Sequence, residues 1–254
     1  MEHKEHTEHH KENNSVINHK VGLSTPLAII IGALIIGICV FAGLKSNTLG
    51  GSGKGNYVDP DSLFSGREIK PDEIIAGNAK SKVIVLEYSD LECPFCKKIH
   101  VDTLNHIEKT FASSVGFAFR HFPLSIHPKA VTQAQATLCA REQKGVAVYK
   151  QFIDKIFEVT PANNGLDPKV LTTIATDLGL DMTAFAKCMS ANTYQDYIKA
   201  DTQDGVNVGV QGTPHLLVLT KQSDGSYFIY ATISGARDIQ YVTKVLNQAI
   251  ASVK

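Results

Sequence analysis

The 254-residue chain has no tryptophan, only three methionines and no excess of either charge. Lysine and arginine together number 25, as do aspartate and glutamate, so the formal net charge is zero. A neutral chain has no overall field that attracts nucleic acid or an acidic surface. We therefore expect no nucleic-acid partner. With 43% hydrophobic residues, the chain is long enough for one good core, or for one core with an insertion.

A long uncharged segment lies near the N-terminus. Residues 21–44 carry no charged side chain, and residues 27–44 are almost entirely apolar. Such a helix spans about 27 Å, close to the hydrocarbon thickness of a bilayer. We predict a transmembrane anchor that contacts membrane lipid through residues 21–44, with a cleaved signal peptide as the alternative. In either case we expect the rest of the chain to be exported.

Two polar segments flank this apolar span. Residues 1–20 are polar and rich in histidine, which is typical of a metal-binding tract or, as we expect here, of a solvated, disordered tail. Residues 45–56 are rich in glycine, serine and asparagine and are predicted to form a flexible linker. The folded domain is predicted to occupy residues 57–254.

The folded part has the pattern of a mixed α/β domain. Short runs of apolar and β-branched residues predict strands at 82–89, 115–122, 215–220 and 226–234. Helical periodicity follows the first run, fills residues 128–208 and returns at 238–250. The predicted order is therefore βαβ, then a block of helices, then ββα.

The chemistry of the chain is concentrated in Cys93-Pro94-Phe95-Cys96, directly after the first strand. At a helix start, unpaired backbone N–H groups and the helix dipole stabilise an anion, so the pKa of the Cys93 thiol should be lowered. Pro94 suits the first helical turn, where its missing N–H is not needed. Cys96 is the natural resolving thiol. We predict that the pair cycles between dithiol and disulfide.

Three other uses of a Cys-x-x-Cys pair fit this sequence less well. A c-type haem site requires histidine directly after the second cysteine, where this chain has Lys97. A zinc site requires a second ligand pair, and Cys139 and Cys188 lack the paired spacing of structural zinc. A purely structural disulfide needs neither the proline nor the helix start. We therefore expect no metal and no organic cofactor in the site.

Two further titratable residues lie near the cysteines in sequence. Glu87 is an acidic residue in an otherwise apolar strand, six residues before Cys93. If that strand is central, the Glu87 carboxyl could exchange a proton with Cys96 through water; the alternative is a surface glutamate at a strand end. His100 lies one helical turn after Cys96. We expect it to be a surface histidine, although its cation could help to stabilise a thiolate.

Five segments carry a family resemblance when taken together: VLEYSDLECPFCKKIH, FRHFPLSIHPKA, ATLCAREQ, AFAKCMS and GVQGTPHLLV. From about residue 69 to the C-terminus, the chain resembles the DsbA-like thiol–disulfide oxidoreductases, the extracytoplasmic branch of the thioredoxin superfamily. The resemblance implies an α/β thioredoxin fold with a helical domain inserted at about residues 124–205.

The resemblance also implies roles for particular residues. In such proteins the first cysteine of the motif, here Cys93, is the nucleophile, and the second, Cys96, resolves. Glu87 matches the buried proton-transfer group. Pro214 matches a proline that is held cis beside the dithiol, with Thr213 preceding it.

Other residues are predicted to surround this site or to stabilise the domain. Pro94, Phe95 and His215 are candidates for a substrate groove, whereas Phe122 is expected to pack in the core. Cys139 and Cys188 both fall on predicted helices. In an oxidising compartment they could form a second disulfide, and the alternative is two buried free thiols.

Together these observations predict a single-pass membrane enzyme whose catalytic domain is extracytoplasmic, as in a periplasm. It would introduce disulfides into cysteine-containing exported proteins, and the resemblance implies reoxidation by a membrane partner, commonly a quinone-linked one. A disulfide reductase or isomerase of the same fold is the first alternative. A metal-binding or scaffolding module without catalysis is an alternative from another class.

Overall fold

The computed structural model describes residues 62–253. The predicted histidine-rich tail at 1–20, the transmembrane anchor at 21–44 and the linker at 45–56 lie outside the described residues. Within 62–253, no helix is both long enough and apolar enough to cross a bilayer.

Strands and helices follow one another in the predicted order, which is βαβ, then a block of helices, then ββα. One additional strand precedes them. The elements are β1 (Ile74–Gly77), β2 (Val83–Ser89), α1 (Pro94–Ile99), α2 (Asn105–Thr110), β3 (Gly116–His121), α3 (Ala130–Val159), α4 (Lys169–Asp177), α5 (Met182–Ser190), α6 (Gln195–Asn207), β4 (His215–Lys221), β5 (Tyr227–Ser234) and α7 (Ile239–Ser252). A π-helical turn, His100–Leu104, joins α1 to α2. Strand β1 was not predicted, because four residues are too few to show a periodicity.

The sheet has the strand order β1-β3-β2-β4-β5, with β2 at its centre. Strand β2 is parallel to β3 and antiparallel to β4, and all seven of its residues are buried. A continuous run of apolar residues fits such a strand, since both of its faces are covered. Because β2 and β4 are antiparallel, the end of β2 that leads to Cys93 lies beside the start of β4, directly after Pro214.

Helices α3 to α6 form an insertion between β3 and β4. Helix α3 bends at Gly145, whose φ of 77° is a left-handed conformation that glycine adopts without steric cost. The core beneath the insertion contains Phe152 and Ile156, and it extends to Cys93 and Cys96. The two cysteines of the motif therefore lie where the insertion packs against the sheet domain.

A buried network of charged groups joins the insertion to the sheet. Arg120 on β3 is completely buried, and its guanidinium lies 2.5 Å from the Asp204 carboxylate on α6 and 3.2 Å from Glu73. Arg67 bridges the same network, at 2.8 Å from Glu73 and 2.5 Å from Asp201. Removing one partner from a buried ion pair leaves an uncompensated charge, so these contacts hold α6 firmly against β3.

The second cysteine pair is a disulfide. Cys139 on α3 and Cys188 on α5 are bonded, with their Cα atoms 6.0 Å apart. Of the two possibilities left open by the sequence, the structure has the disulfide and not two free thiols. The bond links two helices of the insertion across 49 residues of sequence.

Removing this disulfide should destabilise the domain. For Cys139→Ala combined with Cys188→Ala, the chain-entropy relation gives a loss of about 4 kcal/mol, because a loop of about 50 residues is no longer closed in the unfolded chain. Urea unfolding of the wild type and the double variant, both without reductant, measures the difference. Equal midpoints and slopes in the two proteins would contradict this expectation.

Candidate active site

The turn between β2 and α1 is built around the Asp90 side chain. Its carboxylate accepts hydrogen bonds from the backbone N–H groups of Glu92 at 2.7 Å and Leu124 at 2.8 Å, and His127 Nδ1 lies 2.9 Å from it. The backbone N–H of Cys93 donates to the Asp90 carbonyl at 3.0 Å. Aspartate commonly organises turns in this way. Asp90 therefore fixes the direction in which the chain enters α1, a role that the sequence reading missed.

Helix α1 begins where the sequence predicts. Cys93 is the residue at the N-terminal cap, with extended φ and ψ angles, and Pro94 occupies the first helical position. The Cys93 carbonyl accepts a hydrogen bond from the Lys97 N–H at 3.0 Å. Because the helix starts here, the backbone N–H groups of its first turn are directed toward the Cys93 side chain.

The two sulfurs of the motif are free thiols in very different environments. The pKa of Cys93 is lowered to about 6, chiefly because the Cys96 thiol donates a hydrogen bond to the Cys93 sulfur, with the backbone N–H groups of Cys96 and Phe95 adding to the effect. Burial raises the pKa of Cys96 well above its ordinary value, and the charges of Cys93 and Glu87 raise it further. At neutral pH the site therefore holds one thiolate and one neutral thiol.

Glu87 is buried beneath this pair. It lies on central strand β2, where it pairs with Phe119 of β3 and Leu216 of β4, and it is only 5% exposed. Burial raises the pKa of its carboxyl, and among the described residues its Oε1 atom has no hydrogen-bond partner. A buried carboxyl with a raised pKa can hold a proton at neutral pH. Of the two alternatives for Glu87, the structure therefore has the buried carboxyl and not the surface glutamate at a strand end.

Thr213 and Pro214 lie on the other side of Cys93. The Thr213–Pro214 peptide bond is cis, and the Thr213 carbonyl oxygen lies 3.5 Å from the Cys93 sulfur. His215, the first residue of β4, is 7% exposed, and its Nδ1 atom lies 3.3 Å from the Ser234 hydroxyl. Burial lowers the pKa of His215. The antiparallel pairing of β2 and β4 brings these residues to the dithiol.

An open depression of about 520 Å³ lies beside the cis proline. Thr213, Pro214 and His215 line it, together with Thr232 and Ser234 of β5. Pro94 is exposed, and Phe95, at 60% exposure, projects from the start of α1, but neither lines this depression. Of the three predicted groove residues, only His215 therefore borders it. Phe122 is buried at 7% exposure, as expected for a core residue.

The segment after α3 packs against the residues around Cys93. Asn163 donates its backbone N–H to the Glu92 carbonyl at 2.8 Å, and Lys97 Nζ donates to the Thr160 carbonyl at 2.6 Å. Ala162, Asn163 and Asn164 all have positive φ, a conformation that asparagine tolerates better than most residues. The sequence PANNG at 161–165 is a turn signal, but nothing in it shows that the turn contacts the cysteine motif.

The expectation that His100 is a surface histidine was wrong. His100 is 1% exposed, its Nε2 atom lies 2.6 Å from Asp154 Oδ1, and its ring packs on Phe157 at a centroid distance of 4.6 Å. Asp154 and Phe157 belong to α3, which covers this side of α1. Helical periodicity within residues 94–104 cannot reveal a helix that packs there from about 50 residues away.

Among residues 62–253, no group of three or more histidine, cysteine, aspartate or glutamate side chains is placed to hold a metal ion. The histidine-rich segment at 1–20 lies outside those residues. The described site is thus made of two thiols, a buried carboxyl and the backbone around Thr213.

The fold, with a Cys-x-x-Cys pair between a central strand and a helix, is that of a thioredoxin-like domain. The chain belongs to the thioredoxin family, since the family model described as Thioredoxin matches residues 70–227. This match confirms the predicted α/β thioredoxin fold, and α3 to α6 are its helical insertion.

Solved structures of DsbA proteins share this architecture. DsbA2 of Pseudomonas aeruginosa is 28% identical, with a TM-score of 0.55 over 68% of this chain and 91% of that one. The fold is also that of α-DsbA1 of Wolbachia pipientis, with 23% identity and a TM-score of 0.61 over 70% and 90% of the two chains. Oxidised BdbD of Bacillus subtilis has 19% identity and a TM-score of 0.62 over 75% of this chain and 100% of its own.

The curated proteins that match this chain carry the name Na(+)/H(+) antiporter and are much longer than it. The Na(+)/H(+) antiporter NhaA 1 of Mycobacterium sp. (strain KMS) is 25% identical over 173 residues, which are 66% of this chain and 27% of that protein. NhaA 1 of Salinispora arenicola is 28% identical over 166 residues, which are 64% and 24% of the two chains. The chain thus spans about a quarter of the length of these relatives.

The lowered pKa of Cys93 can be tested by titration. In the reduced protein, thiolate absorbance in the ultraviolet should rise with a midpoint at about pH 6, and the Cys93→Ala variant should lose this transition. Cys96→Ala should move the midpoint upward, because the Cys96 thiol supplies the largest stabilising hydrogen bond. A wild-type midpoint near the ordinary value of 9.0 would contradict the assignment.

The same shift predicts a pH-dependent stability of the reduced protein. A thiol whose pKa is lower in the folded state than in the unfolded state stabilises the fold. This stabilisation is complete at pH values above the pKa of the unfolded state. That contribution should shrink as the pH falls from about 9 to about 6. We expect the difference in unfolding midpoint between the reduced wild type and Cys93→Ala to decrease over this range. A difference that is constant with pH would show that the thiolate is not stabilised by folding.

Proposed function

We propose that this domain introduces disulfide bonds into exported proteins by exchange at the Cys93–Cys96 pair. The observation that carries the proposal is the stabilised Cys93 thiolate beside a buried, neutral Cys96. Stabilising the thiolate stabilises the reduced form of the pair, so the corresponding disulfide is the better oxidant.

The exchange proceeds in two steps that conserve electrons. A substrate thiolate attacks the Cys93 sulfur of the disulfide, the Cys93–Cys96 bond breaks, and its electron pair stays on Cys96, which takes a proton from Glu87. A second substrate thiolate then attacks the substrate sulfur in the mixed disulfide and releases the Cys93 thiolate. The low pKa of Cys93 makes it a good leaving group in this second step. Two substrate thiols lose two electrons in all, and the cysteine pair gains them.

The surroundings of Thr213 are suited to hold an extended substrate segment. Its carbonyl lies 3.5 Å from the Cys93 sulfur, and the depression at residues 213–215 opens beside it. A main-chain group at this position can pair with a peptide backbone whatever the side chains of the peptide are. Such pairing would suit an enzyme that acts on many cysteine-containing clients.

The proposal includes an extracytoplasmic location and a membrane tether at residues 21–44. The Cys139–Cys188 bond supports the location, because disulfides persist mainly in oxidising compartments. The uncharged sequence of residues 21–44 supports the tether. After each cycle the reduced pair must pass two electrons to an acceptor while the Cys96 thiol releases its one proton. We propose a quinone-linked membrane partner as this acceptor.

A reductase or isomerase of the same fold is the second candidate. A Cys93 pKa of about 6 lies between the values of about 7 for thioredoxin and about 3.5 for the strongly oxidising DsbA. The reduction potential separates the two functions. A value near about −120 mV is that of a disulfide donor, whereas one near about −270 mV is that of a reductant.

The proposal is tested with the purified full chain and a reduced, unfolded test protein. The oxidised wild type should restore disulfides to the test protein, whereas Cys93→Ala should not. The reduction potential of the wild-type Cys93–Cys96 pair should lie well above about −270 mV. The Cys139→Ala, Cys188→Ala double variant is the matched control and should remain active where it is folded. Oxidation by Cys93→Ala, or a potential at or below that of thioredoxin, would refute the proposal.

A further inference from the structure

A histidine lines the depression beside the dithiol. His215 is the first residue of β4, two residues after Thr213, whose carbonyl oxygen lies 3.5 Å from the Cys93 sulfur. In the sheet His215 pairs with Ser234 of β5, and both residues line the depression of about 520 Å³. Disulfide exchange uses the sulfur atoms and the main chain of Thr213, and it gives neither polar side chain a task. The pair therefore calls for a role beyond the exchange itself.

The His215 imidazole has one nitrogen in a hydrogen bond and one without a partner. Its Nδ1 atom lies 3.3 Å from the Ser234 hydroxyl oxygen. Its Nε2 atom has no hydrogen-bond partner among residues 62–253, yet it does not belong to the unpaired polar atoms that are sealed in the interior. Because the residue is only 7% exposed and lines the depression, this accessible nitrogen is open to whatever enters the depression.

Other hydrogen-bonding groups surround this nitrogen. The Thr213 hydroxyl oxygen is buried and has no hydrogen-bond partner among the described residues. Leaving a buried polar atom unpaired costs free energy, so such an atom in a native protein requires an explanation. Thr232 and Ser234 add two hydroxyls to the lining from β5. The depression thus presents several hydrogen-bonding groups close to the reacting sulfur.

The protonation state of His215 limits what it can bind. Burial lowers the pKa of His215, so the imidazole is uncharged at neutral pH and has one donor and one acceptor nitrogen. Whether Nε2 donates or accepts depends on the direction of the hydrogen bond between Nδ1 and Ser234. Hydroxyl and carboxamide groups suit either case, since they both donate and accept. An aliphatic group would leave Nε2 covered and unpaired. A carboxylate would find no opposite charge, because none of the described residues that line the depression is lysine or arginine.

We propose that His215 determines client specificity by favouring segments with serine, threonine, asparagine or glutamine within two residues of the reacting cysteine. This inference rests on the proposed function and names the substrate class of the same site. The client main chain pairs with Thr213, and the polar side chain hydrogen-bonds to His215 Nε2. An extended segment advances about 3.3 Å per residue, so a side chain one or two residues from the cysteine reaches a group two residues from Thr213. Ser234 acts through His215 and is a positioning residue.

The test measures how fast reduced peptides react with the Cys93–Cys96 disulfide of the oxidised full chain. Each peptide has two cysteines joined by a Gly/Ser spacer, and both cysteines have the same neighbours. The peptides carry either asparagine or leucine, which are similar in size, at one position up to two residues before or after each cysteine, with alanine elsewhere. At one of these positions the asparagine peptide should react about five-fold faster with the wild type, which corresponds to one neutral hydrogen bond. His215→Leu should remove this preference. Dividing the preference of the wild type by that of the variant cancels the intrinsic reactivity of the peptides.

The matched control is His106→Leu, the same substitution at an exposed histidine of α2, which should keep the wild-type preference. An unchanged preference in His215→Leu, or a wild type that prefers leucine or neither peptide at every position, would overturn the inference. If His215→Leu does not fold, Ser234→Ala decides instead, because Ser234 is exposed, and an unchanged preference there would overturn it too. Failure of the proposed function gives a different result: the reduction potential would lie near about −270 mV, although the disulfide still reacts faster with the asparagine peptide.

Discussion

The active site depends on a difference in pKa between two thiols that are one helical turn apart. Cys93 accepts a hydrogen bond from the Cys96 thiol and faces the N–H groups of the first turn of α1, so its negative charge is stabilised. Cys96 is completely buried above a buried carboxyl, so a charge on it is disfavoured. Disulfide exchange needs this asymmetry, because a good leaving group must be paired with a thiol that can be returned to its neutral form.

The fold produces this difference in pKa because the groups around Cys93 and Cys96 come from different elements. Central strand β2 carries Glu87 beneath the pair, and the antiparallel neighbour β4 brings Thr213 and Pro214 beside Cys93. The core under the insertion covers Cys96 from above. The insertion is in turn held to the sheet by the buried Arg120 and Asp204 ion pair and stiffened by the Cys139–Cys188 bond. The chemistry of one sulfur therefore rests on contacts that are spread over most of the described domain.

Features that depend on neighbouring residues in sequence could be predicted, and features that depend on distant packing could not. Strand β2 and the start of α1 follow from a β-branched run and from proline at the first helical position. Burial of His100 was missed because α3 covers it, and Arg120 gave no sign of its partners on α6. The placement of Thr213 and Pro214 was expected from the family resemblance alone, since the residues themselves indicate only a turn. The Cys139–Cys188 bond stayed open because it joins two helices whose separation in space the sequence does not reveal.

The most direct test of the central claim is a competition between the two sulfurs for an alkylating reagent. The reduced chain is treated briefly with iodoacetamide near neutral pH, and the modified cysteines are identified by peptide mass mapping. The account predicts rapid modification of Cys93 and little or none of Cys96, because only the thiolate reacts and only Cys93 is a thiolate there. Equal modification of the two cysteines, or faster modification of Cys96, would contradict it.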